Sequence, residues 1–170
     1  MNATDTKLYS LGYSDTKTYL FAAIFAAGNI LLPQLCHFIP RGGFILLPIY
    51  FFTLIAAYKF GWKAGLLTAV ASPLANSLLF GMPAAAVLPA ILLKSVVLAL
   101  AAAFMAARFR KVALLPILLT IAVYQCIGAL GEWAITGSLA AALQDFRIGI
   151  PGMLLQLFGG WALLKAIRRI

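Results

Sequence analysis

Residues 18–36 of this 170-residue chain are TYLFAAIFAAGNILLPQLC, a stretch that contains no charged side chain. A helix needs about 20 mostly apolar residues to cross the hydrocarbon core of a bilayer, because each residue advances it by about 1.5 Å. The stretch has this length and composition, and it therefore predicts a membrane-spanning helix.

The composition of the whole chain indicates the same class of protein. Apolar residues make up 64% of the chain and charged residues 10%, against roughly 25% charged residues in soluble domains. A folded surface with so little charge would not stay in water, and a disordered chain would be poor in leucine, isoleucine, valine and phenylalanine. We therefore predict an all-α integral membrane protein that forms one compact bundle.

Five more apolar stretches follow the first, separated by short polar or basic connections. Together they predict a six-transmembrane-helix bundle with short loops. The predicted spans are 18–36, 44–58, 64–80, 84–107, 112–133 and 147–167. Residues 1–17 are predicted to be a polar N-terminal tail, and residues 18–170 a single transmembrane domain. Each span contains a proline, which predicts kinked helices.

The basic residues predict the orientation of the bundle. Of the 13 lysines and arginines, only Arg41 and Arg147 fall in outer connections when the N-terminus is placed inside, and Lys94 lies within a span. This positive-inside bias predicts that both termini are cytoplasmic and that the protein crosses a bacterial inner membrane several times. A five-span arrangement would put one basic end outside. Topology, and not nucleic acid, explains the net charge of +9. The predicted cytoplasmic cations are Lys7, Lys17, Lys59, Lys63, Arg108, Arg110, Lys111, Lys165, Arg168 and Arg169.

The three outer connections hold residues that are expected to bind a ligand. A double glycine in the first connection allows a tight turn or a close backbone approach. The connections meet at one end of a six-helix bundle and combine backbone donors, cations and polar side chains, which predicts a capped ligand site; ordinary turns are the alternative. The predicted ligand residues of these connections are Arg41, Gly42, Gly43, Asn76, Asp145 and Arg147.

Two ionisable residues of the predicted spans, Lys94 and Glu132, need separate consideration. Lys94 falls about ten residues into the fourth span, roughly 15 Å deep, where a lysine is costly and by default indicates function. It would bind a ligand carboxylate or pair with an acid, or its stem would reach an interface. Glu132 is the only acid in the six spans and adjoins Trp133, which also suits an interfacial aromatic belt. We predict that all three bind the ligand; a Lys94–Glu132 pair requires adjoining helices.

The first span carries a face of small residues. Ala22 and Ala26 form one small-xxx-small step, and Ala23 and Ala27 form a second that overlaps it. In lipid, such a face lets another helix approach closely. The face predicts either a docking surface for a partner or packing within this chain.

Signatures of enzymes are missing from the sequence. It has one histidine, His37, too few acids for a paired-carboxylate site, and no P-loop, so the chain cannot hydrolyse ATP by itself. We predict no catalytic residue, no cofactor and no metal site; a transition metal on Cys36 and His37 is the alternative.

Taken together, six short-looped spans, the small-residue face and a set of loop motifs resemble the S component of an energy-coupling factor (ECF) transporter. The similarity covers most of the chain and is densest over residues 20–110. The motifs are Pro40-Arg41-Gly42-Gly43-Phe44, Pro48, Gly61, Gly65, Ser72-Pro73-Leu74 and Gly81-Met82-Pro83.

The resemblance implies a membrane subunit that captures a vitamin or related micronutrient on the outer side. It implies docking through Ala22, Ala23, Ala26 and Ala27 onto a T component that is driven by two cytoplasmic ATPase subunits. It also implies that the loop around 41–43 gates the site. The ligand itself stays open, because no known vitamin signature is present. A non-transport membrane scaffold of the cell envelope is the alternative function.

Overall fold

All regular elements of the described residues are helical. The computed structural model describes residue 8 and residues 10–167. The main helices are α1 (Thr16–Cys36), α2 (Gly42–Leu46), α3 (Phe51–Phe60), α4 (Trp62–Phe80), α5 (Leu88–Phe109) and α6 (Leu114–Thr136). The chain ends in α7 (Leu139–Ala142), α8 (Gln144–Ile148), α9 (Ile150–Leu154), a π-helical turn (Leu155–Gly159) and α10 (Gly160–Ala166).

Three helices are long and apolar enough to cross a membrane: α1, α5 and α6. Two shorter apolar helical segments, Pro48–Phe60 and Ile150–Ala166, lie between and after them. The all-α membrane class that the composition predicts is therefore confirmed at this level.

Helix α3 forms the centre of the bundle. All of its 10 residues except Phe52 are buried. It packs against α1, α4, α5 and α10, and α4, α5 and α6 pack in succession beside it. Its neighbours therefore cover nearly all of the surface of α3, including its polar residues Thr53 and Lys59.

The prediction of one continuous helix over 44–58 is wrong. A 3₁₀ turn, Pro48–Tyr50, separates α2 from α3. Leu47, which precedes the turn, has a left-handed backbone with φ 47°. Pro48 has no N–H group to continue the hydrogen bonds of α2, and a left-handed residue leaves the helical path, so the helix ends at Leu46.

The sixth predicted span is also interrupted. Residues 147–167 form the end of α8, then α9, the π-helical turn and α10. Gly149 separates α8 from α9, and Pro151 stands in the first turn of α9, where its missing N–H group costs nothing. The last helical stretch therefore begins at Ile150, three residues later than the predicted span.

Most of the prolines start helices instead of kinking them. Pro33 and Pro73 lie inside α1 and α4. Pro48, Pro89 and Pro151 stand at the first or second position of their helical segments, and Pro116 is the third residue of α6. The expectation of one kink in every span is therefore wrong.

The described part of the predicted tail packs on the bundle. The backbone N–H group of Leu11 donates to the carbonyl of Phe60 at 3.3 Å. The hydroxyl of Thr18 donates to the carbonyl of Gly12 at 2.5 Å. The predicted cytoplasmic cations Lys7, Arg168 and Arg169 lie outside the described residues.

Candidate ligand site

A groove opens at the end of the bundle where α2, α7 and α8 meet. Its volume is about 520 Å³. Two of the predicted ligand residues, from connections far apart in the sequence, line it. The lining residues are Arg41, Phe44, Ala140, Ala141, Gln144, Arg147 and Ile148, and we call this feature the arginine groove.

The backbone of Arg41 has an unusual conformation. It precedes the first residue of α2 with φ 59° and ψ 18°, in the left-handed region that normally favours glycine. Its carbonyl accepts hydrogen bonds from the N–H groups of Phe44 and Ile45 at 3.0 and 3.1 Å. The left-handed position thus belongs to an arginine, although two glycines follow it directly.

Of the two uses predicted for the double glycine, a tight turn or a close backbone approach, the structure shows the close approach at Gly42. A Cβ atom on Gly42 would collide with the carbonyl oxygen of Cys36, so only glycine allows this approach of α2 to the end of α1. A Cβ atom on Gly43 would meet nothing within 4 Å. The close approach next to Arg41 therefore requires glycine at position 42 but not at position 43.

Next to the groove lies a buried cluster of three charges, here called the ion cluster. The ammonium of Lys94 is 2.5 Å from Oε2 of Glu132 and 2.8 Å from Oδ2 of Asp145. The side chains of Lys94, Glu132 and Asp145 are 4%, 16% and 11% exposed, so water screens the pairs weakly. The cluster joins α5, α6 and α8, and two acids surround one base.

Lys94 therefore pairs with acids, which was one of the alternatives predicted for it. The predicted depth of Lys94 in its span was also too large, because α5 begins at Leu88 instead of residue 84 and places Lys94 in its second turn. The predicted condition for a Lys94–Glu132 pair, that their helices adjoin, is met by the packing of α5 against α6.

Gly128 of α6 makes room for the stem of Lys94. A Cβ atom at this position would lie 2.6 Å from Cγ of Lys94, closer than real contacts allow. One turn further along α6, Glu132 meets the ammonium of the same lysine. Gly128 thus makes room for the stem of Lys94, and Glu132 binds its ammonium. The sequence alone did not reveal this arrangement.

A second polar group inside the bundle was not predicted. The hydroxyl of Tyr124 donates to Oε1 of Gln156 at 3.0 Å and accepts from Nε2 of Gln125 at 3.1 Å. The ring of Tyr50 lies 5.6 Å from that of Tyr124. Gln125 Oε1 and Gln156 Nε2 have no hydrogen-bond partner. The only sequence signal was the presence of two glutamines in apolar spans.

Asn76 belongs to a third group, the asparagine cluster, and does not line the groove. Its amide donates to the carbonyl of Asn29 at 2.9 Å. The amide of Asn29 donates to the hydroxyls of Thr53 and Ser72 at 2.9 and 3.2 Å, and its oxygen accepts from the N–H group of Phe52 at 2.9 Å. These bonds tie α1, α3 and α4 together. Asn76 is 1% exposed, so its prediction as a ligand residue finds no support in this geometry.

Of the remaining predicted residues, some are buried within the bundle and others are exposed on its surface. Trp133 is 49% exposed and does not line the groove. Ala22 and Ala26 are buried, and the carbonyl of Ala22 lies 3.4 Å from the hydroxyl of Thr68 on α4. Ala23 and Ala27 are exposed on the opposite side of α1. The two overlapping steps therefore face different surroundings: one packs within the chain, and the other is open to a partner or lipid.

Residues 8 and 10–167 contain no group of three His, Cys, Asp or Glu side chains arranged to hold a metal ion. No protein-family model, curated protein or solved structure matches this chain.

Proposed function

We propose that this chain is the S component of an ECF transporter and that it captures a vitamin or related micronutrient in the arginine groove. The observation that carries the proposal is the convergence of Arg41 and Arg147 on one groove. They are two of the three cations that lie apart from the basic connections of the chain, and the third is Lys94. A groove of about 520 Å³ falls within the roughly 300–1,000 Å³ of ligand pockets.

The proposed topology has six spans, with both termini in the cytoplasm. The spans would be α1, Pro48–Phe60, α4, α5, α6 and Ile150–Ala166. At the proposed inner end the ammonium of Lys63 lies 5.0 and 5.6 Å from the ring centres of Tyr13 and Trp62. Lysines and half-exposed aromatic rings of this kind are typical of a membrane–water interface.

The exposed face of α1 is the proposed docking surface for the T component. In α1 22% of the apolar window is buried, against 44% in α5 and α6, so α1 has the most free surface of the three. Ala23 and Ala27 lie in this surface among the exposed side chains of Leu20, Ile24 and Leu31. Small residues between larger ones give a partner helix a place of close approach.

Docking can be tested by co-expression with a T component and its two ATPase subunits, followed by affinity purification. We expect Ala27→Leu to abolish co-purification, because the added side chain fills the close approach. Ala122→Leu, at an exposed alanine of α6, is the matched control and should co-purify normally. Equal co-purification of both variants would remove the docking proposal.

Ligand capture can be tested on the protein purified in detergent. Mass spectrometry should find a retained micronutrient, and that compound should raise the melting temperature by mass action. A scaffold protein would retain no small molecule, and substitutions of Arg41 and Arg147 would leave its function unchanged.

A further inference from the structure

We infer that the ligand of the arginine groove is a small soluble molecule with a carboxylate or phosphate group and an apolar part. This inference rests on the proposed function and names the ligand class of its site. The observation that supports it is the positive charge of the side chains that line the groove.

Neither arginine has an ion-pair partner among the described residues. The groove lining includes no aspartate or glutamate in that part of the chain. A groove lined by two guanidinium groups and by no carboxylate attracts an anion. Guanidinium groups also bind carboxylate and phosphate oxygens through paired hydrogen bonds.

The nearest acid is held away from the groove. Asp145 belongs to α8, together with the groove residues Gln144 and Arg147. Its carboxylate lies 2.8 Å from the ammonium of Lys94, on the buried side of the helix. The pair with Lys94 thus holds the carboxylate of Asp145 in the ion cluster, and Asp145 does not line the groove. The positive charge of the groove comes from Arg41 and Arg147, and Lys94 acts as a positioning residue for α8.

The rest of the lining suits an apolar ligand part. The ring of Phe44 is 57% exposed at the edge of the groove, and Ala140 and Ala141 form a wall of small side chains. Gln144 adds an amide that can donate and accept. The combination fits an anionic group between the arginines and a flat or aliphatic body against Phe44 and the alanines.

The test uses the full chain in phosphatidylcholine nanodiscs and pairs of micronutrients that differ in one anionic group. The pairs are nicotinate and nicotinamide, pantothenate and pantothenol, biotin and biotinamide, and pyridoxal phosphate and pyridoxal. Thermal shift and calorimetry should show binding of at least one anionic member, with the neutral member weaker by about tenfold or more.

Arg41→Gln and Arg147→Gln should each weaken that binding by about tenfold or more, and Arg147→Lys should weaken it less. Arg108→Gln, at an exposed cation of the opposite end, should leave binding unchanged. Melting temperatures without ligand serve as the check that the variants are folded.

Three outcomes would overturn the inference. Equal binding of both members of a pair, insensitive to Arg41→Gln and Arg147→Gln, would refute the ligand class and leave micronutrient capture standing. A stabilisation by phosphatidylglycerol nanodiscs that requires the arginines, with no soluble compound bound, would identify a lipid headgroup site instead. Binding of no compound would also refute the inference, and the docking assay would then decide whether the proposed function falls with it.

Discussion

The asparagine cluster and the ion cluster tie helices together in the same bundle with different chemistry. The asparagine cluster is neutral, and Asn29 satisfies four hydrogen bonds between α1, α3 and α4. The ion cluster joins α5, α6 and α8 through charges, with two acids around one base. The neutral cluster lies away from the groove lining, whereas the charged cluster anchors a helix that lines it. The comparison indicates that the first stabilises the fold and that the second also positions a site.

The largest expected effect belongs to Lys94→Met. Removal of the ammonium leaves two buried carboxylates facing each other, and losing one partner of a buried ion pair costs about 3–5 kcal/mol. Thermal denaturation in detergent should show a large drop in melting temperature, and hydrogen exchange should rise over residues 139–148.

The matched control is the triple variant Lys94→Met, Glu132→Gln, Asp145→Asn, which removes all three charges together. It should recover most of the lost stability, because no buried charge stays uncompensated. Equal destabilisation in the single and triple variants would show that the charges themselves contribute little.

Asn29→Ala should cost about 2 kcal/mol, because it leaves buried donors and acceptors without partners. Hydrogen exchange should rise in α1 and α3 and stay unchanged over residues 139–148, the opposite of the result for Lys94→Met. Ser77→Ala, next to the asparagine cluster on α4, is the control and should change stability by about 0.5 kcal/mol or less. A rise over 139–148 in Asn29→Ala would show that the two clusters are not independent.

Gly128→Ala should lower stability by about 1–3 kcal/mol, because the new methyl group meets the stem of Lys94 and overpacks the interface of α5 and α6. Gly43→Ala, where the methyl group meets nothing within 4 Å, should change the melting temperature little. Similar melting temperatures for the two variants would contradict the tight fit between Gly128 and Lys94.

The smallest effect on stability is expected for Arg147→Gln. The arginine is exposed and has no ion-pair partner in the described part of the chain, so its loss should change the free energy of unfolding by about 0.5 kcal/mol or less. A large drop in melting temperature would show that Arg147 stabilises the fold, and would make it a structural residue like Lys94.

Much of the fold could be predicted from local composition, because the length and apolarity of a stretch predict a membrane-spanning helix whatever that helix packs against. The interruptions were harder to predict. Pro48 and Pro151 were visible, but a proline fits either inside a kinked helix or in its first turn. Only the packing around α2 and α9 shows that these two prolines begin helical segments.

The site was partly predictable for a similar reason. Arg41 and Arg147 stood out because topology did not explain them, and they share the groove. Asn76 stood out for its polarity alone, and its amide proved to donate to backbone carbonyls of α1 and α4. The pairing of Tyr124 with Gln156 could not be predicted, because it joins residues 32 positions apart.

The sequence by itself determined an all-helical membrane protein with a basic set of connections, since length, apolarity and charge are local properties. Only the tertiary structure decided that Ala22 turns inward and Ala23 outward, and that Lys94 meets two acids. A helix that is apolar on all sides has no stripe to show which face packs inside. The partners of each buried polar group are therefore fixed by how the helices meet, and not by the order of residues along any one of them.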